Sequence, residues 1–235
     1  MFETTTYNDP VVLDPVVRAR WAFLETSSAT AVLRSVCPAE WADITDVLRT
    51  FQLDPIRWLC AGGNRGNIAR EIDNMFSQRG WREMRLDLMT QGILISRSNQ
   101  IVEKLAPLHQ EGYLVDNFKG RVVLDVAWNA KDGNLDRDLS AYRSWHEAGV
   151  ISAAVLITQD RVRLKQLAER LWGEYQQSLP EDQRKPKLPI DPSTSTTTNL
   201  EKAVLRVRRG VMGTCPLLVV AATPETWNQQ PYLPV

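Results

Sequence analysis

Val150 to Thr158, VISAAVLIT, is a continuous apolar run bounded by Gly149 and a polar turn. Its length and β-branching suit a central strand buried on both faces, not a surface strand. Such a strand needs a layer of helices on each side. The segment before it supplies one. Val122-Val123-Leu124 and Val126 form another short apolar strand, and a helix carrying Leu139, Tyr142, Trp145 and His146 runs on to Ala148. Strand, helix, strand makes a parallel crossover unit. Asp136 or Asp138 is expected to cap that helix. Arg161 to Leu179 then reads as an amphipathic helix with Leu164, Leu167, Ala168, Leu171, Trp172 and Tyr175 in one stripe. Asn199 caps a last helix ending in Arg206-Val207-Arg208-Arg209-Gly210, and Cys215 to Ala222 gives a final buried strand. The expected fold is α/β: a mixed central sheet flanked by helices.

The first 60 residues read as a mostly helical addition. Pro15 opens a turn followed by Val17, Trp21 and Leu24 at helical spacing. Pro38 to about Phe51 forms a second helix, and Asp54-Pro55 starts a short third one. Ala61 to Asn67 is a glycine-rich break without the pattern of a phosphate loop. It is either a plain loop or one that touches a DNA backbone through Arg65. Ile68 to Gln78 is an amphipathic helix that Arg79-Gly80 ends. Trp81 to Thr90 is roughly a strand. Residues 91–110 are ambiguous: GILIS could extend a strand, while SNQIVEKLAPLHQ resembles a short helix interrupted by Pro107. Residues 180–198 form a long polar loop of the kind that often serves binding. No break in composition demands a second domain. The expectation is one domain over 1–235, with a helical part at 1–60, a core at 61–160, and a final helix and strand at 199–222.

Two acids sit inside the apolar hairpin YLVDNFKGRVVLDVAW, Asp116 and Asp125, with Asn117 to Arg121 reading as a tight turn between them. A carboxylate in a β-branched run is costly to bury unless something pairs with it. Two on adjacent strands, with a strand carbonyl, suit a hard divalent cation that keeps several waters. Such a centre can hydrolyse a phosphodiester. The spacing Asp-x8-Asp-x-X is the generic nuclease pattern. Its last residue, on the same face as the second acid, is usually lysine, glutamate or glutamine and handles the attacking water. Here that residue is Ala127, whose methyl group can do nothing of the kind. Taken alone, two acids on adjacent strands are more often surface or turn carboxylates.

Several other totals narrow the choice. Formal net charge is zero, so DNA affinity must come from local clusters. The three cysteines form no CxxC pair and there are two histidines, which leaves no ligand set for structural zinc. The expected setting is cytoplasmic: no N-terminal signal pattern and no apolar run near the ~20 residues of a membrane span are visible. The eight tryptophans read as packing residues.

The run from Val115 through Thr158 resembles the BglII/BstYI family of type II restriction endonucleases, within the PD-(D/E)XK nuclease superfamily. Its motifs are D…(D/E)-V-x-W-N-x-K-D, the D-R-D-L helix start and G-V-I-S-x-x-V-L-I-T. RRGVMGTCPLLVV is similar to the family's closing turn and strand, and GGNRGN through RGW matches more loosely. The resemblance spans residues 60–222, poorly over 160–200. It implies an Mg2+-dependent nuclease that cuts double-stranded DNA at a palindrome as a homodimer, soluble and without a membrane. Asp116 and Asp125 would be the metal-binding catalytic acids, Val126 would offer its carbonyl to the metal, and position 127 would be the third catalytic member. Asp125 stands where many relatives carry Glu. Ala127 leaves the chain crippled, by substitution or decay, unless another acid such as Glu71 stands in. DNA contacts are expected from Asn129 and Lys131 after the hairpin, from Arg206, Arg208 and Arg209, and from Arg65. Lys119 and Arg121 could hold the scissile phosphate. For each of these the plain alternative is a solvated turn or helix end.

Overall fold

The computed structural model describes residues 3–60, 66–128, 130–185, 187–188 and 197–233. A two-residue strand β1 (Glu3–Thr4) leads to helix α1 (Pro15–Arg20), whose first turn holds Pro15 and is capped by the Asp14 carboxylate accepting from the Val16 N–H. The chain then becomes strand β2 (Trp21–Thr26), which corrects the helical reading of Trp21 and Leu24. Pairing decides the matter. The whole of β2 runs antiparallel to the last strand of the chain, from Thr26 opposite Leu217 to Trp21 opposite Ala222. Buried Glu25 is held by the hydroxyls of Thr4, Thr6 and Thr30 at 2.6, 2.8 and 2.5 Å.

Three helices follow: α2 (Ala29–Val36), α3 (Pro38–Thr50) and α4 (Pro55–Trp58), the last capped by Asp54. Helix α5 (Asn67–Ser77) comes after the glycine-rich break and ends near Gly80, whose φ of +83° needs a residue without Cβ strain. Strand β3 (Arg82–Arg85) takes the edge of the sheet. The ambiguous stretch is neither a continuation of it nor a helix. It is a β-ribbon: β4 (Leu88–Thr90) pairs with β7 (Leu108–Gln110), and β5 (Ile93–Ile95) pairs with β6 (Ile101–Lys104).

Strands β8 (Leu114–Lys119) and β9 (Val122–Val126) form the acid-bearing hairpin. Asn117, Phe118 and Lys119 belong to the strand, so the turn is only Gly120-Arg121. Tertiary contacts draw these residues into the sheet: Phe118 packs on Trp145, and the Asn117 amide donates to Asp73 at 2.8 Å in the interior. Helix α6 (Asp132–Glu147) crosses over to β10 (Ala153–Gln159), and α7 (Arg161–Ser178), α8 (Leu200–Arg208) and β11 (Leu217–Ala222) complete the fold. Helix α6 starts earlier than expected, so Asp136 and Asp138 lie inside it instead of capping it. Asn199 does cap α8, accepting from the Lys202 N–H at 3.0 Å.

The main sheet has seven strands in the order β1-β2-β11-β10-β9-β8-β3. The three central strands, β9, β10 and β11, are parallel, and their neighbours are antiparallel. Each face carries its own core. On one, Trp21, Trp41, Phe51, Trp58, Phe76 and Trp128 join Leu124, Leu171 and Trp172. On the other, Val123, Leu139, Tyr142, Trp145, Leu156, Val207 and Met212 gather under α6 and α8. Seven of the eight tryptophans are buried, and Trp227 packs at the margin, as packing residues should. No helix among the described residues is long and apolar enough to cross a membrane.

Candidate metal centre

Alternation along β9 sends Val123, Asp125 and Ala127 to the α6 side of the sheet, and Val122, Leu124, Val126 and Trp128 to the other. Asp125 is therefore buried under α6, only 6% exposed. Both of its oxygens are engaged: Oδ1 accepts from the Asp116 backbone N–H at 2.6 Å, and Oδ2 accepts from the Tyr142 hydroxyl at 2.6 Å. The bond to Asp116 fixes the two acids side by side across the hairpin. The regular β8–β9 pairing stops at Asn117 opposite Leu124, so Asp116 and Asp125 occupy the first position beyond it. Val126 is one step further.

These residues open onto a cavity of about 650 Å³ at the C-terminal end of β9. Asp116, Asp125, Val126 and Ala127 line it from the sheet, and Asn134, Arg137 and Asp138 from α6. Arg137 lies along Asp138, with Nε and a terminal nitrogen 3.1 and 2.9 Å from Oδ1. Charge in this cavity is out of balance. Burial, then repulsion from Asp138, pushes the Asp125 carboxyl up to about 8, against the two hydrogen bonds that favour its anion. Burial raises Asp138 as well, with Arg137 opposing. The Tyr142 hydroxyl is raised well above its ordinary value by burial and by the neighbouring Asp125. Burial works against the charge of Arg137, yet the surrounding acids outweigh it and push its pKa up.

The donor set fits a hard divalent cation: two adjacent carboxylates and the Val126 backbone, in an open cavity that has room for water. The raised carboxyl of Asp125 is the mark of a buried anion short of positive charge. No group of three His, Cys, Asp or Glu side chains among the described residues is gathered closely enough to hold a metal. Position 127 adds no ligand. Ala127 is 3% exposed, its methyl packed in the α6-side core, its N–H bonded to the Ile157 carbonyl at 2.9 Å.

The other candidates are scattered. Lys119 sits at the far end of the hairpin from the acids, its ammonium 2.7 Å from Asp43 and 2.9 Å from the Arg79 carbonyl. Arg121, in the turn itself, donates to Ser152 and to the Gly149 carbonyl. Neither reaches the acid pair. Arg206 is bound to Asp136 through two nitrogens at 3.2 and 3.3 Å, and Arg208 to Glu3 at 2.8 Å. Arg209 is exposed at the end of α8. Lys131 is exposed and borders the cavity. Glu71 is paired with Arg57 at 3.0 Å and lines a separate groove, so it does not fill the gap at 127. Asn129 and Arg65 lie outside the described residues. Arg137 and Asp138, which line the cavity, and buried Tyr142, which holds Asp125, were not singled out from the sequence for this site. A spacing of four places Asp138 and Tyr142 on one helical face, which is the signal that was available.

A mixed sheet with a crossover helix over paired acids defines a restriction-endonuclease-like protein of the α/β class. The sequence model for the restriction endonucleases BglII/BglIII matches residues 21–222, and the chain belongs to that family. No curated individual protein matches it. Membership makes this a protein of the DNA-binding restriction nucleases, a group that typically uses divalent metals. It also agrees with the resemblance carried by the hairpin and crossover motifs.

Proposed function

We propose that the chain is a type II restriction endonuclease that cuts double-stranded palindromic DNA with Mg2+, acting as a homodimer. The observation that carries this reading is the acid pair. Asp125 is held in place by Asp116 and Tyr142, short of positive charge, and open to a cavity at the end of the family's sheet. Asp116 and Asp125, with the Val126 carbonyl, are the residues that would hold the cation. The chemistry a bound Mg2+ supplies is polarisation of the phosphodiester and neutralisation of charge developing on it. Asp116 and Asp125 fix where that happens. Tyr142 keeps Asp125 in one rotamer. Lys131, exposed at the cavity rim, would meet a phosphate. A two-fold dimer matches a two-fold DNA site.

Ala127 favours a second reading, a non-cleaving DNA-binding protein on the same fold. Its buried methyl cannot position or deprotonate water. The two readings part on one experiment. Purified parent protein and an Ala127→Glu variant are incubated with a defined plasmid and Mg2+. Discrete fragments from the variant, and few or none from the parent, support a nuclease impaired at this position. Sequence-selective binding without fragments from either protein supports the second reading. Absence of both DNA binding and cleavage contradicts the proposal.

A further inference from the structure

Residues 86–112 leave the main sheet between β3 and β8 as a free-standing ribbon. Every residue from 89 to 111 except Ser96 is exposed. Many of them are large and apolar: Met89 is 74% exposed, Ile95 60%, Ile101 57%, Val102 69% and Leu108 69%. Alternation puts them on both faces, since neighbours such as Ile93 and Leu94, in regular register with Lys104 and Glu103, point opposite ways. A two-stranded hairpin alone in water is marginally stable at best. Monomers rarely leave a contiguous apolar patch larger than a few hundred Å² uncovered. A standard protein interface covers about 800 Å² per partner, and pairing of two such ribbons would cover apolar side chains that nothing among the described residues covers.

Charge separates the possible occupants. Residues 86–112 carry two cations, Arg97 and Lys104, against three acids, Asp87, Glu103 and Glu111. A phosphate backbone is bound by excess lysine and arginine, which this ribbon lacks. An apolar, nearly neutral ribbon with two bare backbone edges matches a second ribbon of the same kind, related by a two-fold axis.

We infer that the ribbon is the self-association arm of this protein, paired in the dimer with the same ribbon of a second copy. The inference rests on the homodimer reading above and adds the surface that makes it. Arg85 anchors the arm's base by bridging Asp87 at 2.9 Å and Glu111 at 2.7 Å, and the Gly112 N–H donates to Asp87. The arm re-enters the sheet at Leu114, two residues before Asp116. Pairing of two arms therefore ties the positions of the two acid sites to each other.

The test is the mass in solution, by light scattering and sedimentation, of the full chain and of an I93E/L108E variant. Both sites are exposed and lie opposite Lys104 and Thr90, so no two glutamates face each other across the ribbon, and circular dichroism checks that the monomer stays folded. The parent is expected to dimerise without DNA, and the variant to associate about 100-fold more weakly. A control at exposed Val36, Val36→Glu, keeps the parent's mass. Hydrogen exchange on the unmodified chain gives a second readout: amides of β5 and β6 slow as dilution is reversed and dimer forms. A variant that stays dimeric, or exchange in β5 and β6 that ignores dissociation, overturns the arm while leaving the homodimer intact. A parent that is monomeric throughout overturns both. Loss of DNA affinity in a variant that is still dimeric makes the ribbon a DNA contact and overturns the inference.

Discussion

Replacing Asp125 by asparagine should stabilise the metal-free protein, and by more as pH rises. The side chain keeps its shape, an oxygen for the Asp116 N–H and a polar group for the Tyr142 hydroxyl. What it loses is a charge in the wrong place. The carboxyl's ordinary value is 3.8, and folding raises it to about 8. Between these values the folded state holds a proton that the unfolded chain has released. This group's contribution to stability is therefore greatest at low pH, falls as pH rises above 3.8, and levels off beyond about 8. By pH 7 the loss is about 4 kcal/mol, and above pH 8 about 6 kcal/mol. For a chain of this size 4 kcal/mol corresponds to a rise in Tm of about 10 °C. The assay is urea and thermal unfolding of parent and Asp125→Asn in chelator at pH 5, 7 and 9. The stability gap should widen steadily over that range. A variant no more stable than the parent at pH 9, or an unchanged pH slope, would refute the reasoning.

Other perturbations separate support from chemistry. Tyr142→Phe removes the donor to Asp125 Oδ2, and urea titration should show a loss of about 1–2 kcal/mol, with weaker divalent-cation binding by calorimetry. Lys119→Ala breaks the contacts to Asp43 and the Arg79 carbonyl, so it should cost about 1 kcal/mol of stability; gel shifts should show DNA affinity unchanged. Asn117→Ala withdraws the buried donor to Asp73 and should cost about 1–3 kcal/mol in the same unfolding assay.

The parallel centre of the fold was legible because its signals are local. The VISAAVLIT run, the stripe of α7 and the asparagine at the start of α8 follow from burial period and capping alone. Strand β2 was not legible. Trp21 and Leu24 repeat at a helical interval, and only pairing with β11, some two hundred residues later, makes the segment extended. Residues 91–110 were ambiguous: GILIS read as a strand and holds β5, but the rest carried no period because neither face of the ribbon is covered among the described residues. At the site, the two acids could be read from the hairpin, whereas Tyr142 and Asp138 come from a helix that folds back over it. The surroundings of the cations were hidden for the same reason: the ion-pair partners of Lys119, Arg206 and Arg208 are Asp43, Asp136 and Glu3, all distant in sequence.

Calorimetric titration of Mg2+ or Mn2+ into the DNA-free protein bears most directly on the claim that Asp116 and Asp125 form a cation centre. The expected result is one site per chain, abolished by Asp116→Asn. Below pH 8, binding should release protons as the raised Asp125 carboxyl ionises. Absence of binding, or binding that persists unchanged in the Asp116→Asn variant, would contradict the assignment.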